Sequence, residues 1–293
     1  MSATDAGCFR FVQMDVPGRI GLDDGRYLLR ASADGNEETV VVVQTFGAPP
    51  AGRPRRRRRR PRRVDLPEPP TEVPVTRLTV IPADELSADD TSRELDRMAG
   101  DSDAAEEAVL DGLRAANRLM RAHRIATQDP HGHEIGRAAP LAIRVGFGTG
   151  GELADGRWTR ALDVPGPERR RRRAEALRPQ ERLAELLAGR EAIDVCETLL
   201  LRARADLDQG RAREAALQLV PGVEALLAEL PDRAGPGQDE DVASLRDRQE
   251  SVRHISAQAL RGDLAPEQIE QLADVLALCE RILRRRQALR DSG

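Results

Sequence analysis

From residue 174 to the end of the chain, apolar side chains recur every three or four positions, and that spacing commits the C-terminal part to helices. Ile193, Cys196, Leu200, Ala203 and Leu207 form one such series. Ala216, Leu219, Val223, Leu226 and Leu230 form a second, and Ile269, Leu272, Leu276, Cys279 and Leu283 a third. Each series lays an apolar stripe along one side of a helix, and a stripe is stable only when neighbouring helices cover it. Val242, Leu245, Val252, Ile255 and Ala259 add a further helix after the Pro- and Gly-containing loop 231–241. Aromatic residues make up only 2% of the chain, so the core has to be built from Leu, Ala and Val, which suits close helix packing. Pro221 interrupts the second series and is expected to kink or split that helix, because it lacks a backbone donor. The expectation for 166–293 is an antiparallel bundle of four to five helices.

The N-terminal part carries a different period. Residues 9–16 alternate, with Val12, Met14 and Val16 on one face, and 26–30 and 38–45 read as two more strands around an Asp34-Gly35-Asn36 turn. Residues 1–48 are therefore expected to form a three-stranded meander, too small to stand alone, that packs with 75–165. Within 75–165 the reading gives a strand at 76–81, a helix starting near Ser87, a long helix from Asp103 to Ala126, a strand at 141–146 and its partner at 157–164. The fold class expected is α+β: a small N-terminal mixed unit with antiparallel strands, followed by the helical bundle.

Residues 49–74 are rich in Pro and hold the run 53–63, in which nine of eleven residues are Arg. This stretch reads as a solvated, disordered linker. The net charge of −4 conceals an alternation: 1–52, 53–63, 64–168, 169–173 and 174–293 carry −3, +9, −9, +5 and −6. Arg55, Arg56, Arg57, Arg58, Arg59, Arg60, Arg62 and Arg63 are the candidate binding residues, for nucleic acid or an acidic partner. Nine phosphate contacts on duplex DNA would give a salt slope of roughly −8. No aromatic residue is interleaved with them, so base stacking is not available. The plain alternative is a spacer that binds nothing, or one that lies against the chain's own acidic segments.

Every cationic side chain other than His is an arginine, because the sequence has no lysine. A Walker A loop, a pyridoxal Schiff base and a Ser-x-x-Lys nucleophile are excluded by that fact alone. Gly-x-Ser-x-Gly, His-Glu-x-x-His and Cys-x-x-Cys are also absent. Gly146-Phe147-Gly148-Thr149-Gly150-Gly151 matches the spacing of a dinucleotide loop, but the residues that follow read as a turn and a strand where such a loop needs a helix. His131-Gly132-His133-Glu134, with His123 upstream, offers imidazoles for a metal and reads equally as an ordinary turn. No cofactor and no metal is expected. Cys8, Cys196 and Cys279 are odd in number and widely spaced, which fits a reducing, cytoplasmic setting. No run approaches a membrane span, and Met1–Gly18 does not read as a signal peptide.

Residues 195–230 resemble one tetratricopeptide repeat, through the mid-repeat turn Gly210-Arg211-Ala212-Arg213-Glu214-Ala215 and Pro231 near the end. The first helix lacks most of that family's signature positions, Pro221 is foreign to the second, and one repeat does not make a solenoid. The resemblance implies a protein-binding groove; an αα-hairpin with a Gly turn gives the same pattern. These readings favour a non-enzymatic interaction or scaffold protein with a protein partner, whose helical seams would serve a homo-oligomer as readily as a monomer. The alternatives are a nucleic-acid-associated protein using the Arg tract and an enzyme with a site near 131–151.

Overall fold

A computed structural model of the chain describes residues 7–30, 38–47, 73–166, 173–230 and 238–290. The chain divides into two compact units, Met1–Glu168 and Arg169–Gly293. The first is an antiparallel sheet with helices and the second is a set of helices, so the fold is α+β.

In the first unit the strands are β1 (Cys8–Pro17), β2 (Gly25–Arg30), β3 (Glu38–Phe46), β4 (Val75–Pro82), β5 (Glu85–Leu86), β6 (Ala142–Thr149) and β7 (Arg160–Asp163). Their order is β2-β3-β4-β1-β6-β7, with β5 pairing beside β1 beyond the end of β4. The three-stranded meander is thereby corrected. β2 and β3 pair, but β1 lies between β4 and β6, with Met14 opposite Leu78 on one side and Ile143 on the other. The burial of β1 explains this. Phe11, Val12, Gln13 and Met14 are all buried, and a strand buried on both faces belongs in the middle of a sheet, hydrogen-bonded along both edges.

Alternation along β1 sends Val12, Met14 and Val16 to one face, where they join Val41, Val43, Leu78, Val80, Val145 and Phe147. Two helices cover that face, α1 (Ala88–Gly100) and α2 (Ser102–Thr127). Ser87 caps α1, its Oγ accepting the Asp90 N–H at 3.2 Å. Asp101 caps α2 by accepting the Asp103 N–H at 2.9 Å, two residues earlier than the start signal read from Asp103. The buried stripe of α2 includes Ala104, Ala105, Ala108 and Ala116, and Gly112 sits where an added Cβ would lie 2.8 Å from Val12, so the helix lies close on β1. The opposite face carries a smaller cluster of Phe11, Val42, Ile81 and Leu153; Leu153 comes from the five-residue helix α3 (Gly150–Ala154).

The second unit contains α4 (Arg173–Leu187), α5 (Val195–Asp208), α6 (Ala212–Glu229), α7 (Gln238–Ala259) and α8 (Pro266–Arg290). Its core gathers Cys196, Leu200, Ala203, Ala216, Leu219, Val223, Leu226, Leu245, Ile255, Leu272, Leu276 and Cys279. α5 and α6 form an αα-hairpin whose turn uses Gly210 at φ 72°, a left-handed conformation that favours glycine. Ile193 is the exception to the first series: it precedes α5 and stands 68% exposed. α6 runs unbroken through Pro221, contrary to the expected split. The carbonyl that loses its donor there is that of Leu217, and both Leu217 and Pro221 lie on the exposed side, where water replaces the missing bond.

Candidate functional site: an apolar cleft in the helical unit

Arg55, Arg56, Arg57, Arg58, Arg59, Arg60, Arg62 and Arg63 lie outside the described residues. The strands on either side of the tract do pair, with Phe46 opposite Val75.

The glycine motif has a packing explanation. A Cβ on Gly146 would lie 2.1 Å from the Arg160 carbonyl oxygen and 2.7 Å from the Ala161 Cα, and one on Gly148 would lie 2.9 Å from Leu153 Cδ2. These glycines let β7 and α3 close onto β6. A helix does follow the motif, contrary to the sequence reading, but Glu152 already occupies its N-terminus. The Glu152 carboxylate accepts hydrogen bonds from the Thr149 N–H at 3.3 Å, the Thr149 hydroxyl at 3.0 Å and the Thr159 hydroxyl at 3.1 Å, which hold it below the usual carboxylate range. An anionic ligand would meet that charge.

His131, Gly132, His133 and Glu134 follow α2, with Gly132 against the Arg124 side chain. Next to them, Asn117 of α2 bonds both the N–H and the carbonyl of Ile135, at 2.7 and 3.0 Å. This turn belongs to the helix-covered face of the sheet, whereas α3 packs on the other face, so the two segments are not brought together. Among the described residues no group of three or more His, Cys, Asp or Glu is placed to hold a metal ion, and no helix is long and apolar enough to cross a membrane.

The face bearing α3 also carries a charged row that the sequence reading missed. Asp15 accepts from Arg77 Nε and Nη2, at 2.7 and 3.1 Å, and from Arg144 Nη1 at 3.1 Å; Arg144 also reaches Asp163 at 3.1 Å. Arg77 lies over the Phe46 ring and Arg144 over Trp158. Both guanidinium groups are matched by carboxylates within the row, so it stitches β4, β1 and β6 together.

Among the described residues, a ligand-sized cavity lies in the helical unit. Leu186 of α4, Ile193, Leu200 and Leu201 of α5 and Leu283 of α8 line a cleft of about 350 Å³, edged by Arg182, Glu197, Thr198, Glu280, Arg284 and Gln287. Its volume lies toward the small end of ligand-sized pockets. Arg182 fastens α4 along one edge, donating to Glu197 at 2.7 and 2.8 Å and to Glu191 at 3.1 Å. Partial burial alone would lower the pKa of that guanidinium; the carboxylates outweigh it and hold the charge more firmly than usual. On the other edge Glu280 accepts from Arg204 at 2.7 Å and lies 4.0 Å from Arg284, which is 70% exposed.

Behind the cleft the start of α5 is closed off. Glu229 accepts the N–H groups of Val195 and Cys196 at 3.1 and 3.2 Å, in the place of an N-cap. Burial, reinforced by Glu229, pushes the Cys196 thiol up to about 12, and burial does the same for Cys279. Neither is a nucleophile at neutral pH. Arg286, buried, pairs with Asp194 and lies 3.9 Å from Glu197.

The surroundings of the cleft are unusually apolar for a chain that is 33% charged. Five exposed large hydrophobic residues, Leu183, Leu187, Ile193, Val195 and Leu201, fall between residues 183 and 201. On α4 the exposed positions Gln180, Leu183, Ala184 and Leu187 follow i, i+3, i+4, i+7 spacing without a charge among them. The sequence shows these four positions only as uncharged residues at helical spacing; that they face outward is a property of the packing. Comparison with models of protein families, with curated proteins and with solved structures finds no match for this chain.

Proposed function

We propose that this chain is a non-enzymatic interaction protein whose helical unit takes an amphipathic helix into the α4–α5–α8 cleft. The observation that supports the reading is the concentration of exposed Leu, Ile and Val around an open apolar cavity; such patches on soluble proteins mark binding surfaces. The ligand helix has leucines at i, i+3, i+4 and i+7 to fill the cleft. Its flanks are acidic, because Arg284 stands exposed at the cleft edge and Arg202 is exposed on α5 next to Leu201. The catalytic candidates support no competing reading: both helical thiols are held protonated, and the glycine motif is filled by its own chain.

The test is fluorescence anisotropy with a labelled synthetic helix bearing that leucine spacing flanked by glutamates. Binding is expected to the full chain and to be lost in Leu201→Arg, a change at a 71% exposed position that leaves the fold alone. Equal binding to both proteins, or to neither, overturns the proposal.

A further inference from the structure

The helix that the cleft is built to receive has its counterpart on the same chain. We infer that the occupant is α4 of a second copy, so that two chains associate with the Leu183–Leu187 stripe of each seated in the cleft of the other. This rests on the reading of the cleft as a helix-binding site.

Three observations carry it. First, α4 presents a stripe of the required kind outward: Leu183 is 46% and Leu187 79% exposed, one turn apart, with Ala184 between them. The adjoining side is already used, through Arg182 and Leu186. Second, one charge pair can form. Glu181 stands exposed beside the stripe, and Arg284 is exposed at the cleft edge, where it lies 4.0 Å from Glu280 on its own helix, so a stripe entering a cleft can bring a second acid toward that arginine. Third, the stretches outside the described residues supply no rival segment. The stretches outside the described residues, 1–6, 31–37, 48–72, 167–172, 231–237 and 291–293, contain only Met1, Val64 and Leu66 as large apolar residues, and none has the spacing of a helical stripe. A surface carrying both the projecting stripe and the cleft that fits it is self-complementary, which is what a two-fold interface requires.

Sedimentation velocity of the full chain over a range of concentrations tests this. The expected result is a shift from 32.2 kDa to twice that mass as concentration rises. Leu183→Glu with Leu187→Glu removes the stripe, and Leu201→Arg removes the cleft; each is expected to weaken self-association by about 10- to 100-fold per leucine buried. An equimolar mixture of the two variants is expected to recover dimers, since one intact stripe meets one intact cleft while the introduced Glu and Arg side chains face each other. All three positions are exposed, so unchanged helical circular dichroism verifies folding. A wild-type chain that stays at 32.2 kDa throughout, variants that dimerise like the wild type, or a mixture that does not recover dimers would each overturn the inference. If the wild type is monomeric but still binds the synthetic helix in a Leu201-dependent way, the binding cleft stands and its partner is a different protein. If it also fails to bind that helix, the cleft reading falls with it.

Discussion

Replacing Gly146, Gly148 and Gly151 singly by Ala separates a packing role for this motif from a ligand-cradling one. At Gly146 the new methyl carbon meets backbone, with the Arg160 oxygen at 2.1 Å and the Ala161 Cα at 2.7 Å, and neither can rotate away. β7 must move outward, which strains its four-residue pairing with β6. Overpacking of this kind costs about 1–3 kcal/mol, and the reduced freedom of the unfolded chain returns about 0.4–1 kcal/mol. The net loss expected is about 1–2 kcal/mol. At Gly148 the nearest atoms are Leu153 Cδ2 at 2.9 Å, on a side chain that can shift, and the Trp158 Cα at 3.3 Å, which needs only a few tenths of an ångström, so the loss is smaller than at Gly146, about 1 kcal/mol or less. Gly151 has nothing within 4 Å and lies in α3, so Ala there is neutral or stabilises by up to about 1 kcal/mol. Urea unfolding followed by tryptophan fluorescence reads the sheet unit alone, because Trp158 is the one tryptophan in the chain and stacks on Phe11 at 5.8 Å. The expected order of midpoints is Gly146→Ala, then Gly148→Ala, then Gly151→Ala. Equal midpoints for all three, or a Gly146→Ala protein as stable as the wild type, would refute the packing argument.

Further outcomes are expected elsewhere. Pro221→Ala should stabilise the helical unit by about 2 kcal/mol in thermal unfolding, since proline costs about 3 kcal/mol in a helix interior and part of this is offset by its stiffening of the unfolded chain. With a disulfide reagent near neutral pH, Cys8 should label in the native protein while Cys196 and Cys279 label only after unfolding. Because both buried thiols have folded pKa values raised to about 12, their contribution is complete below the unfolded value of about 8.5 and is lost as pH rises toward 12. Replacing both by Ala should flatten that alkaline decline in stability. For Asp15, burial pushes the carboxyl upward, but hydrogen bonds and charge from Arg77 and Arg144 win and hold it low. Its contribution is therefore present above about pH 4 and lost as pH falls through the folded value. Asp15→Asn should cost about 1–3 kcal/mol at neutral pH, and the gap from wild type should close in acid.

The sequence disclosed what depends on local period. Val12, Met14 and Val16 share a face, Cys196, Leu200 and Ala203 share another, and both sets are buried, because a strand or helix fixes the direction of its own side chains. It did not disclose which strands touch. β1 and β2 are neighbours in sequence, yet β1 pairs with β4 and β6, and only the burial of both of its faces indicates this. Of the kink or split expected at Pro221, the split does not occur, because a helix tolerates a missing donor on its wet side, and exposure is a tertiary property. The cleft was half legible: the uncharged stripe at 180, 183, 184 and 187 can be read directly. That α5 and α8 converge with α4 around Leu201 and Leu283 depends on packing between segments some 80 residues apart in sequence.

The central place of β1 has a consequence for assembly. Of the seven strands β1 comes earliest in sequence, yet it is flanked on one side by β4 and on the other by β6, whose last residue is Thr149. Its two hydrogen-bonding edges are therefore completed only once synthesis has passed Thr149. Until then Phe11 and Met14 have no finished layer to enter, and the nascent strand presents open edges to other nascent chains. Folding of this unit is thus set by the wait for distant partners, and the helical unit, whose hairpins close locally, is free to form by a faster route of its own.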